Sequence, residues 1–449
     1  MIPFTFGMSP IAGFALLLGM HSVVQTGGPI PSILFNAPGT GPCAATCLDG
    51  FPLAKQGKAG RAIGAALASS AVGGVIGAIG LALLLPFIRP VVLSFGPPEY
   101  CMLAIWGVTF LALVSGESLV KGLIVGALGL TLSFVGQNPQ TGVARYTFGQ
   151  LFLFDGVPLV PLVVGLFAGS EVLAMLLHRG ALVEGRAEVG RDTMEGVKDV
   201  FRYWWLTLRC SIIGYIIGVI PGLGGEVSSW VTYGHAAQTS KNKALFGKGA
   251  IEGVIAPEAA NNSKEGGALI PTVAFGIPGS SGMAILLGAF LVLGLTPGPA
   301  LLKDHLDVVW AMVWILIIAN IIGALGFLIM TPYFSLLTVL RSSIMAPIIL
   351  SFVFLGSYLT RGHFSDLVIT VVMTLVGYLL KKNDYPLAPL ILGLVLGEIV
   401  EINLNISLQI WGIAFLARPI TFALLIISII SVAYPLWQRW QNRRAGAAT

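Results

Sequence analysis

Charged residues are scarce in this 449-residue chain, because Asp, Glu, Lys and Arg together make up only 10% of it. Soluble domains carry roughly 25% charged residues, so the chain lacks the polar side chains that a water-facing surface of this size requires. Hydrophobic residues reach 56% and the mean hydropathy is +0.89. Lipid is then the main solvent, and backbone groups in lipid must satisfy their own hydrogen bonds. The composition predicts an all-α polytopic membrane protein.

Patterns of catalytic residues and metal ligands are missing as well. The sequence has no GxxxxGK[ST] phosphate-binding loop and no defensible Ser-His-Asp or Cys-His set. Its five histidines, His21, His178, His235, His305 and His363, do not have the spacing of metal ligands. The sequence therefore disfavours an enzyme and an ATP-driven pump and predicts no catalytic residue, resident metal or cofactor. Coupling to an ion gradient, with Na⁺ or a proton as the coupling ion, is the expected energy source.

Cysteine is rare and no secreted-type disulfide framework is present, since the chain has four cysteines in apolar surroundings. Cys43 and Cys47 are four residues apart, and packing is favoured over a metal or redox role. The first residues lack the basic region and cleavage site of a signal peptide and are interpreted as a membrane segment. The net charge of +5 lies in short clusters between apolar runs, which is typical of cytoplasmic loops and gives no indication of nucleic-acid binding.

Apolar segments of membrane-spanning length follow one another along the whole chain. They predict about 10–12 spans, near residues 4–22, 62–86, 99–116, 119–136, 158–178, 203–220, 307–331, 344–360, 364–380, 385–402 and 408–435. Two further stretches, near 25–54 and 254–298, are broken in the middle by Pro-Gly and are predicted to be re-entrant hairpins.

Internal similarity indicates a duplication. GGPIPSILFNAPGTG at 27–41 aligns without gaps with GALIPTVAFGIPGSS at 267–281, a shift of 240 residues. The same shift places Phe6 and Gly7 on Phe246 and Gly247. Later in each half, and at a different shift, PLVVGLFAG at 161–169 matches PLILGLVLG at 389–397. Three matches in the same order predict two repeated halves.

Basic residues predict that the two repeats are inverted. Arg341, Lys381, Lys382, Arg439, Arg443 and Arg444 place the C-terminus in the cytoplasm, whereas Lys55, Lys58 and Arg61 follow the first broken segment and favour the cytoplasmic side there. Equivalent points of the halves then lie on opposite faces. The predicted organisation is a first repeat at 1–178, a cytoplasmic linker at 179–202, a second repeat at 203–402, and an extra span with a basic tail at 403–449.

The two broken segments are the first candidate site. Proline blocks helix continuation, and irregular backbone at membrane depth is tolerated only where protein buries it or where it lines a cavity. Paired breaks in inverted halves are typical of the central site of a transporter. Their amides can face an anion and the preceding carbonyls can hold Na⁺. The predicted substrate- or ion-binding residues here are Asn36, Pro38, Gly39, Thr40, Pro278, Gly279, Ser280 and Ser281. The alternative is that each Pro-Gly only kinks a packed helix.

A second candidate is the polar run APEAANNSKEGG at 256–267. Its amides offer donors and acceptors suited to carboxylates and ions, and Asn261, Asn262 and Ser263 are predicted to bind substrate or ion. Charged residues in a membrane segment are functional candidates by default. For Lys264 and Glu265 a site role and a solvated interfacial position remain equally open, and Glu258 lies in the same run.

Two further features carry open alternatives. IPGLGGEVSSW at 220–230 predicts another interrupted helix, with a structural and a functional role equally open. Asp49 follows the first break, and a cap or a pair with Lys55 is favoured over coordination of a cation.

Three stretches together resemble one family: NAPGTGPCAATCLDGFPLAKQGKAGRA, APEAANNSKEGGALIPTVAFGIPGSSGMAILLGAFLVLGLTPGP and IPGLGG. The chain is similar over nearly its whole length to the TctA-like large membrane subunits of bacterial tripartite tricarboxylate transporters. The resemblance implies a multi-pass inner-membrane carrier that works with a small membrane subunit and a periplasmic binding protein. It also implies import of a tricarboxylate or related organic acid anion, ion coupling and an elevator mechanism.

One departure from the family pattern concerns the first half. The second half has a span ending in a PGLG-type turn at 212–225, whereas the chain opens at Met1, beyond the place where the counterpart is expected. The sequence predicts that the first repeat lacks its opening span, through a late start site or a truncation.

The function predicted from the sequence is thus the large transmembrane subunit of a binding-protein-dependent, ion-coupled secondary transporter. A channel-like pore and a polytopic membrane enzyme are the alternatives. Saturable, gradient-coupled flux distinguishes a carrier from a channel, and an enzyme requires an acid-base set that the chain does not supply.

Overall fold

A computed structural model describes residues 5–430, with gaps at 6, 37, 115–118, 139, 178–191, 221–223 and 334–341, and also describes residue 433. Nearly all of the described chain is helical. The α-helices are α1 (Pro10–Gly27), α2 (Pro29–Phe35), α3 (Ala44–Lys55), α4 (Ala59–Leu93), α5 (Pro97–Val114), α6 (Leu119–Ser133), α7 (Leu159–Val164), α8 (Ser170–Leu177), α9 (Thr193–Arg202), α10 (Trp204–Val219), α11 (Gly224–Thr239), α12 (Glu252–Phe275), α13 (Ser281–Val292), α14 (Pro299–Asp304), α15 (Leu306–Met330), α16 (Ser342–Arg361), α17 (Phe364–Lys382), α18 (Ala388–Trp411) and α19 (Pro419–Ile430).

The described helices include five that are long and apolar enough to cross a membrane, judged by length and composition. They are Pro10–Phe35, Ala59–Leu93, Leu306–Tyr333, Phe364–Lys382 and Pro389–Ala417. Shorter apolar helices occur at Val120–Ser133, Leu159–Ala174, Trp204–Val219, Ile349–Leu359 and Pro419–Ile430. A polytopic membrane protein is therefore confirmed at the level of architecture.

Some predicted boundaries differ from the observed helices for local reasons. The chain is helical from Pro10 to Phe35 with only a junction at Gly28, because Pro29 occupies the first turn of α2, where a missing N–H is harmless. The predicted span at 385–402 continues to Trp411 in α18. The predicted span at 408–435 becomes a 3₁₀ turn at Gly412–Ala417 followed by α19.

The chain forms two compact units, each made of two separate stretches of sequence. The first unit comprises Met1–Pro90 and Met175–Ser351, and the second comprises Val91–Ala174 and Phe352–Thr449. Each unit therefore takes one stretch from each predicted repeat. The predicted boundary at 179–202 divides the sequence but does not separate the two compact units. The two repeats stay a prediction.

Part of the predicted linker is a packed helix of the first unit. Helix α9 lies against α4, because Gly196 allows its backbone to approach the carbonyl of Arg61. Arg61 Nε also donates to the buried carboxylate of Asp199 at 2.6 Å, and Arg202 donates to it at 2.9 Å. Residues 178–191 lie outside the described chain, as do Arg341, Arg439, Arg443 and Arg444, on which the predicted orientation partly rests.

Within the first unit, helices of one predicted half pack against helices of the other half. Helix α1 of the first half packs on α15 of the second, where Gly27 meets the ring of Phe327. Helix α12 of the second half packs on α4 of the first, where Gly73 and Gly77 meet its backbone. A shift of 240 residues places most of α4 on α15, so these two contacts are counterparts.

In the second unit, helices of the two predicted halves also pack against each other, with different residues. Gly165 and Gly169 lie in a π-helical turn between α7 and α8 and pack against α17, while the matching Gly393 and Gly397 of α18 pack against α6. Glycine four residues apart lets helix backbones approach closely, which is a common packing device in membranes. The sequence match between 161–169 and 389–397 thus corresponds to the same kind of helix contact in both places.

Ion pairs in the second unit hold its loops. A two-residue antiparallel strand pair, β1 (Gly136–Gln137) and β2 (Ala144–Arg145), closes a loop after α6. Arg145 forms a bidentate pair with Glu401 of α18 at 2.7 and 2.9 Å, and this hydrogen bonding raises the pKa of Arg145. Glu99 accepts from Arg418 and Thr421 at 2.8 and 2.9 Å.

Candidate functional site

Helix α12 is polar in sequence and yet buried along nearly its whole length. All of its residues from Glu252 to Ala274 are buried, including Glu258, Lys264 and Glu265 at 2% exposure or less. The solvated interpretation of this run is therefore wrong. Charged groups removed from water require partners, so the question is what each of them contacts.

Glycine-lined faces of two neighbouring helices enclose α12. Gly73 and Gly77 of α4 lie against the carbonyls of Ala259 and Ser263, and Gly214 and Gly218 of α10 lie against those of Ala260 and Lys264. A Cβ at any of these four glycines would overlap a backbone oxygen. Side chains cannot separate the helices at these points, so the polar residues of α12 are held at fixed positions in the first unit.

An amide network surrounds Asn262. Its Nδ2 donates to Asn320 Oδ1 at 2.6 Å and to Thr26 Oγ1 at 2.7 Å, and Asn320 Nδ2 donates to Ser22 Oγ at 2.6 Å. The network joins α12, α15 and α1. The acceptor Oδ1 of Asn262 has no hydrogen-bond partner among the described residues. A buried acceptor without a donor is destabilising by about 1–3 kcal/mol unless a ligand satisfies it.

Glu258 is surrounded by neutral donors. Thr46 donates to its Oε1, while Ser70 Oγ lies 3.4 Å and Cys43 Sγ 4.0 Å from its Oε2. Asn261 is a further hydrogen-bond partner, and its own Oδ1 has none among the described residues. Within the described chain no Lys or Arg pairs with Glu258.

Glu265, two helical turns later, is paired with cationic or ionisable groups. Lys264 Nζ lies 2.6 Å from its Oε1 and His21 Nε2 lies 3.1 Å from its Oε2. Both are ion-pair distances, although the angles fall outside hydrogen-bond geometry. Lys264 and Glu265 compensate each other's charge, so the carboxylates of Glu258 and Glu265 differ in their electrostatic surroundings.

The two helix breaks have the same backbone geometry. Asn36 and Gly276, which a shift of 240 residues superposes, both end a helix in the left-handed region, at φ 54° and 68°. A Cβ on Gly39 would lie 2.5 Å from the carbonyl oxygen of Gly28, and one on Gly279 would lie 2.7 Å from that of Ala268. Gly28 and Ala268 are also superposed by this shift. The backbone therefore turns back onto the preceding helix in the same way at both breaks.

Hydroxyl groups at matching positions extend this similarity. Ser32 and Thr272, again 240 residues apart, donate to the carbonyls of Gly28 and Ala268 at 3.4 and 2.7 Å. Gly7 and Gly247 both have positive φ, at 79° and 77°. These coincidences agree with a duplication.

Each break leads to one of the two carboxylates. After the first break, Thr40 Oγ1 lies 3.1 Å from Cys43 Sγ, and Cys43 contacts Glu258 and Asn261. After the second break, the backbone at Gly282 lies against the imidazole of His21, which contacts Glu265. Both breaks therefore lie next to residues that contact α12 in the first unit.

The predicted site residues have different surroundings. Asn261 and Asn262 lie in the buried polar cluster, whereas Ser263 donates to the carbonyl of Ser211 at 2.7 Å and serves helix packing. Asn36, Gly39 and Gly279 shape the breaks. At the second break, the hydroxyl of Ser280 is buried and accepts from Met283 N at 3.3 Å. Pro38, Thr40 and Pro278 lie within the breaks, and the side chain of Ser281 lies outside the described parts.

The structure also settles how Asp49 is used. It is fully buried and accepts from the backbone N–H groups of Gly249 and Ala250 at 2.8 and 2.9 Å and from Tyr233 OH at 2.9 Å. Gly249 and Ala250 precede α12, whose N-cap Ile251 has no side-chain cap, so Asp49 binds the backbone before that helix and does not cap it. The predicted pairing with Lys55 is wrong. Lys55 lies over the ring of Phe51. The interrupted helix predicted at 220–230 corresponds to the end of α10 and the start of α11, with 221–223 outside the described residues.

Several residues of the cluster were not predicted from the sequence. They are His21, Ser22, Thr26, Thr46, Ser70 and Asn320. Asn320 had a usable signal, since it is a lone amide in a strongly apolar helix. The hydroxyl residues had none, because serine and threonine are common in membrane helices, where they donate to their own backbone.

Comparison with known proteins shows the family to which the chain belongs. The sequence model of the tripartite tricarboxylate transporter TctA family matches residues 1–392. The chain belongs to the TctA family. This is a family of transporter components and not of enzymes, which agrees with the prediction of a transport protein.

Two curated relatives come from Agrobacterium vitis. An uncharacterized 52.8 kDa protein in the TAR-I ttuC' 3'region is 32% identical and covers 99% of this chain and 89% of that protein. An uncharacterized protein in the TAR-II ttuC' 3'region is 31% identical and covers 51% of this chain and 97% of its own length. No solved structure matches.

Proposed function

We propose that this chain is the large transmembrane subunit of a tripartite carrier that imports a tricarboxylate or related organic acid anion. The observation that carries the proposal is the convergence of two helix breaks on the polar, fully buried helix α12. A membrane protein has a reason to bury Asn261, Asn262 and Lys264 together where they contact a polar solute. Membership of the TctA family supports a tricarboxylate or related anion as the substrate.

Substrate recognition in this proposal uses amide and ammonium groups. The ammonium of Lys264 and the backbone amides at the breaks are the donors that an organic anion meets in the first unit. The Oδ1 of Asn262, which has no partner among the described residues, is an acceptor and binds a donor group of the substrate. Pro38, Gly39, Pro278 and Gly279 provide the irregular backbone that such a site requires.

The partners and mechanism follow from the family and belong to the same proposal. A small membrane subunit and a periplasmic binding protein complete the system, and the binding protein selects the substrate. We further propose inverted repeats, an elevator-type movement and a cytoplasmic C-terminus in the bacterial inner membrane. The matched left-handed residues Asn36 and Gly276 support the duplication on which this scheme depends.

Reconstitution with both partner subunits tests the proposal. Uptake of a labelled tricarboxylate into proteoliposomes is expected to be saturable, to require the binding protein, and to accumulate substrate under a Na⁺ or a proton gradient imposed in turn. Flux that is passive, non-saturable and independent of the binding protein would instead indicate a channel.

A matched pair of amide variants locates the site. Asn262→Ala is expected to abolish uptake while membrane insertion remains normal, because it removes both the network donor and the free acceptor. Asn403→Ala is the control, since Asn403 of α18 donates to the carbonyl of Ile399 on its own helix. Equal uptake by both variants would refute the site assignment.

A further inference from the structure

Glu258 is a buried carboxylate whose negative charge is not matched by a basic side chain of the described chain. Placing an isolated carboxylate in a low-dielectric interior is costly by tens of kcal/mol in the Born limit, so real proteins compensate it. Neutral donors such as Thr46 and Ser70 lower this penalty without cancelling the charge. The compensating group must therefore be a cation or a proton.

The two oxygens of Glu258 are not equivalent. Oε1 accepts a hydrogen bond from Thr46, whereas the neighbours of Oε2 are Ser70 Oγ at 3.4 Å and Cys43 Sγ at 4.0 Å. O–H···O bonds are usually about 2.7–2.8 Å long, so Oε2 is the weakly bonded side of the carboxylate.

The spacing around Oε2 fits a metal ion better than a shared proton. Two oxygens 3.4 Å apart subtend close to a right angle at an ion that lies about 2.4 Å from each, a usual metal–oxygen distance for hard cations. Oxygens that share a proton with a charged group approach to about 2.5–2.7 Å. The separation at Ser70 is larger than that.

Asn261 supplies an independent observation. It is fully buried, it contacts Glu258, and its Oδ1 has no donor among the described residues. An orphaned acceptor beside an uncompensated carboxylate is the arrangement that a cation satisfies, because both oxygens then become ligands.

The ligand set also indicates the charge of the ion. It contains one carboxylate with hydroxyl and amide oxygens, whereas Ca²⁺ sites use several carboxylates. The described chain contains no group of three or more His, Cys, Asp or Glu side chains that could hold a metal. The ionisable groups on elements that face Glu258 are the thiols of Cys43 and Cys47 from the α3 region.

We propose that Glu258, Ser70 and Asn261 form a Na⁺ site, while Thr46 holds the other carboxylate oxygen of Glu258, and that this ion is the one coupled to transport. The inference rests on the proposed carrier function for its role in coupling. When Glu258 is ionised, no basic side chain of the described chain offsets its charge, whereas Lys264 and His21 lie beside Glu265, so the region around Glu258 repels an anionic substrate until a cation binds. Na⁺ at Glu258 offsets that charge and makes anion binding next to Asn262 favourable.

Binding is measured directly on the purified full-length protein in nanodiscs, without substrate. We expect saturable ²²Na⁺ binding, and a rise in Tm with NaCl at constant ionic strength that choline chloride does not reproduce, since a ligand of the folded state stabilises it. Glu258→Gln is expected to abolish both signals.

A second pair of variants keeps the test decisive if Glu258→Gln does not fold. Ser70→Ala removes one ligand and is expected to weaken Na⁺ affinity roughly tenfold, the scale seen when one supporting group of a metal site is lost. Ser69→Ala is the matched control, because Ser69 donates to the carbonyl of Ala66 within α4. It is expected to bind Na⁺ like the wild type.

Three outcomes would contradict the Na⁺ site. The first is a wild-type protein without saturable ²²Na⁺ binding, and the second is unchanged binding in both Glu258→Gln and Ser70→Ala. The third is a stability that responds to pH through Glu258 but not to Na⁺, which would make the ligand a proton. Uptake separates this inference from the proposed function. Tricarboxylate uptake without Na⁺ binding would contradict the Na⁺ site and support the carrier function. Na⁺ binding without any uptake would contradict the carrier function.

Discussion

The two helix breaks share a backbone and differ in what they contact. At both, a left-handed residue ends a helix, and a glycine three residues later packs on the helix before it. The first leads through Cys43 to Glu258, whose donors among the described residues are neutral, and the second leads to His21 and the paired Glu265. The two breaks have the same backbone geometry, while the side chains around them form two different electrostatic environments.

The largest effect is expected when a large side chain replaces the closely packed glycine at either break. Gly39→Leu and Gly279→Leu each place a side chain where even a Cβ would lie 2.5–2.6 Å from neighbouring atoms. We expect each to abolish uptake and to lower Tm, since small-to-large changes in packed sites are destabilising by about 1–3 kcal/mol or more. Proteoliposome uptake and thermal unfolding in detergent are the measurements.

Gly326→Ala is the control for that pair. Gly326 lies in α15 and faces open space, because a Cβ at this position would have nothing within 4 Å. Uptake and Tm are expected to stay at the wild-type level or rise slightly, because alanine favours a helix over glycine. Retained uptake in a leucine variant would contradict the need for close packing at that break.

Removing Lys264 makes the second carboxylate resemble the first. Lys264→Met leaves Glu265 buried without its ammonium partner, and breaking one side of a buried ion pair is destabilising by about 3–5 kcal/mol. The double variant Lys264→Met, Glu265→Gln is expected to recover much of that loss of stability, because no uncompensated charge remains. Unfolding in detergent measures both, and equal stability of the single and double variants would contradict the pairing.

The amide network tests a smaller effect between the two carboxylates. Asn320→Ala removes a partner of Asn262 and of Ser22, and an unsatisfied buried polar group costs about 1–3 kcal/mol. We expect a lower Tm and reduced uptake with folded protein retained. Asn383→Ala is the control, since Asn383 lies exposed beyond α17. A variant of Asn320 that matches this control in both measurements would show that the network does not support the site.

The smallest effect is expected in the second unit. Glu401→Gln weakens the bidentate pair with Arg145, whose side chain is partly exposed, and such pairs contribute about 0–1 kcal/mol. Uptake is expected to remain within about twofold of wild type, because the change lies outside the cluster on α12. An effect as large as that of Lys264→Met would place the second unit in the transport site.

Sequence reasoning located the breaks and the polar run because both depend on local chemistry. Pro38 and Pro278 interrupt helices wherever they occur, and a run such as Asn261 to Glu265 is conspicuous in an apolar chain. Sequence reasoning did not separate buried from solvated charges at Lys264 and Glu265. It also missed His21 and Asn320, because their significance depends on partners far away along the chain.

The amino-acid sequence by itself determined a helical membrane protein of the TctA family with two similar broken segments. Composition fixes the solvent, and glycine and proline fix where the backbone can turn. Only the tertiary structure decided that Glu258 has neutral donors while Glu265 has Lys264 and His21. Thr46 lies 212 residues from Glu258, and Thr26 lies 236 residues from Asn262. Contacts at such separations arise from the close approach of α12 to its glycine-lined neighbours, which a local pattern does not encode.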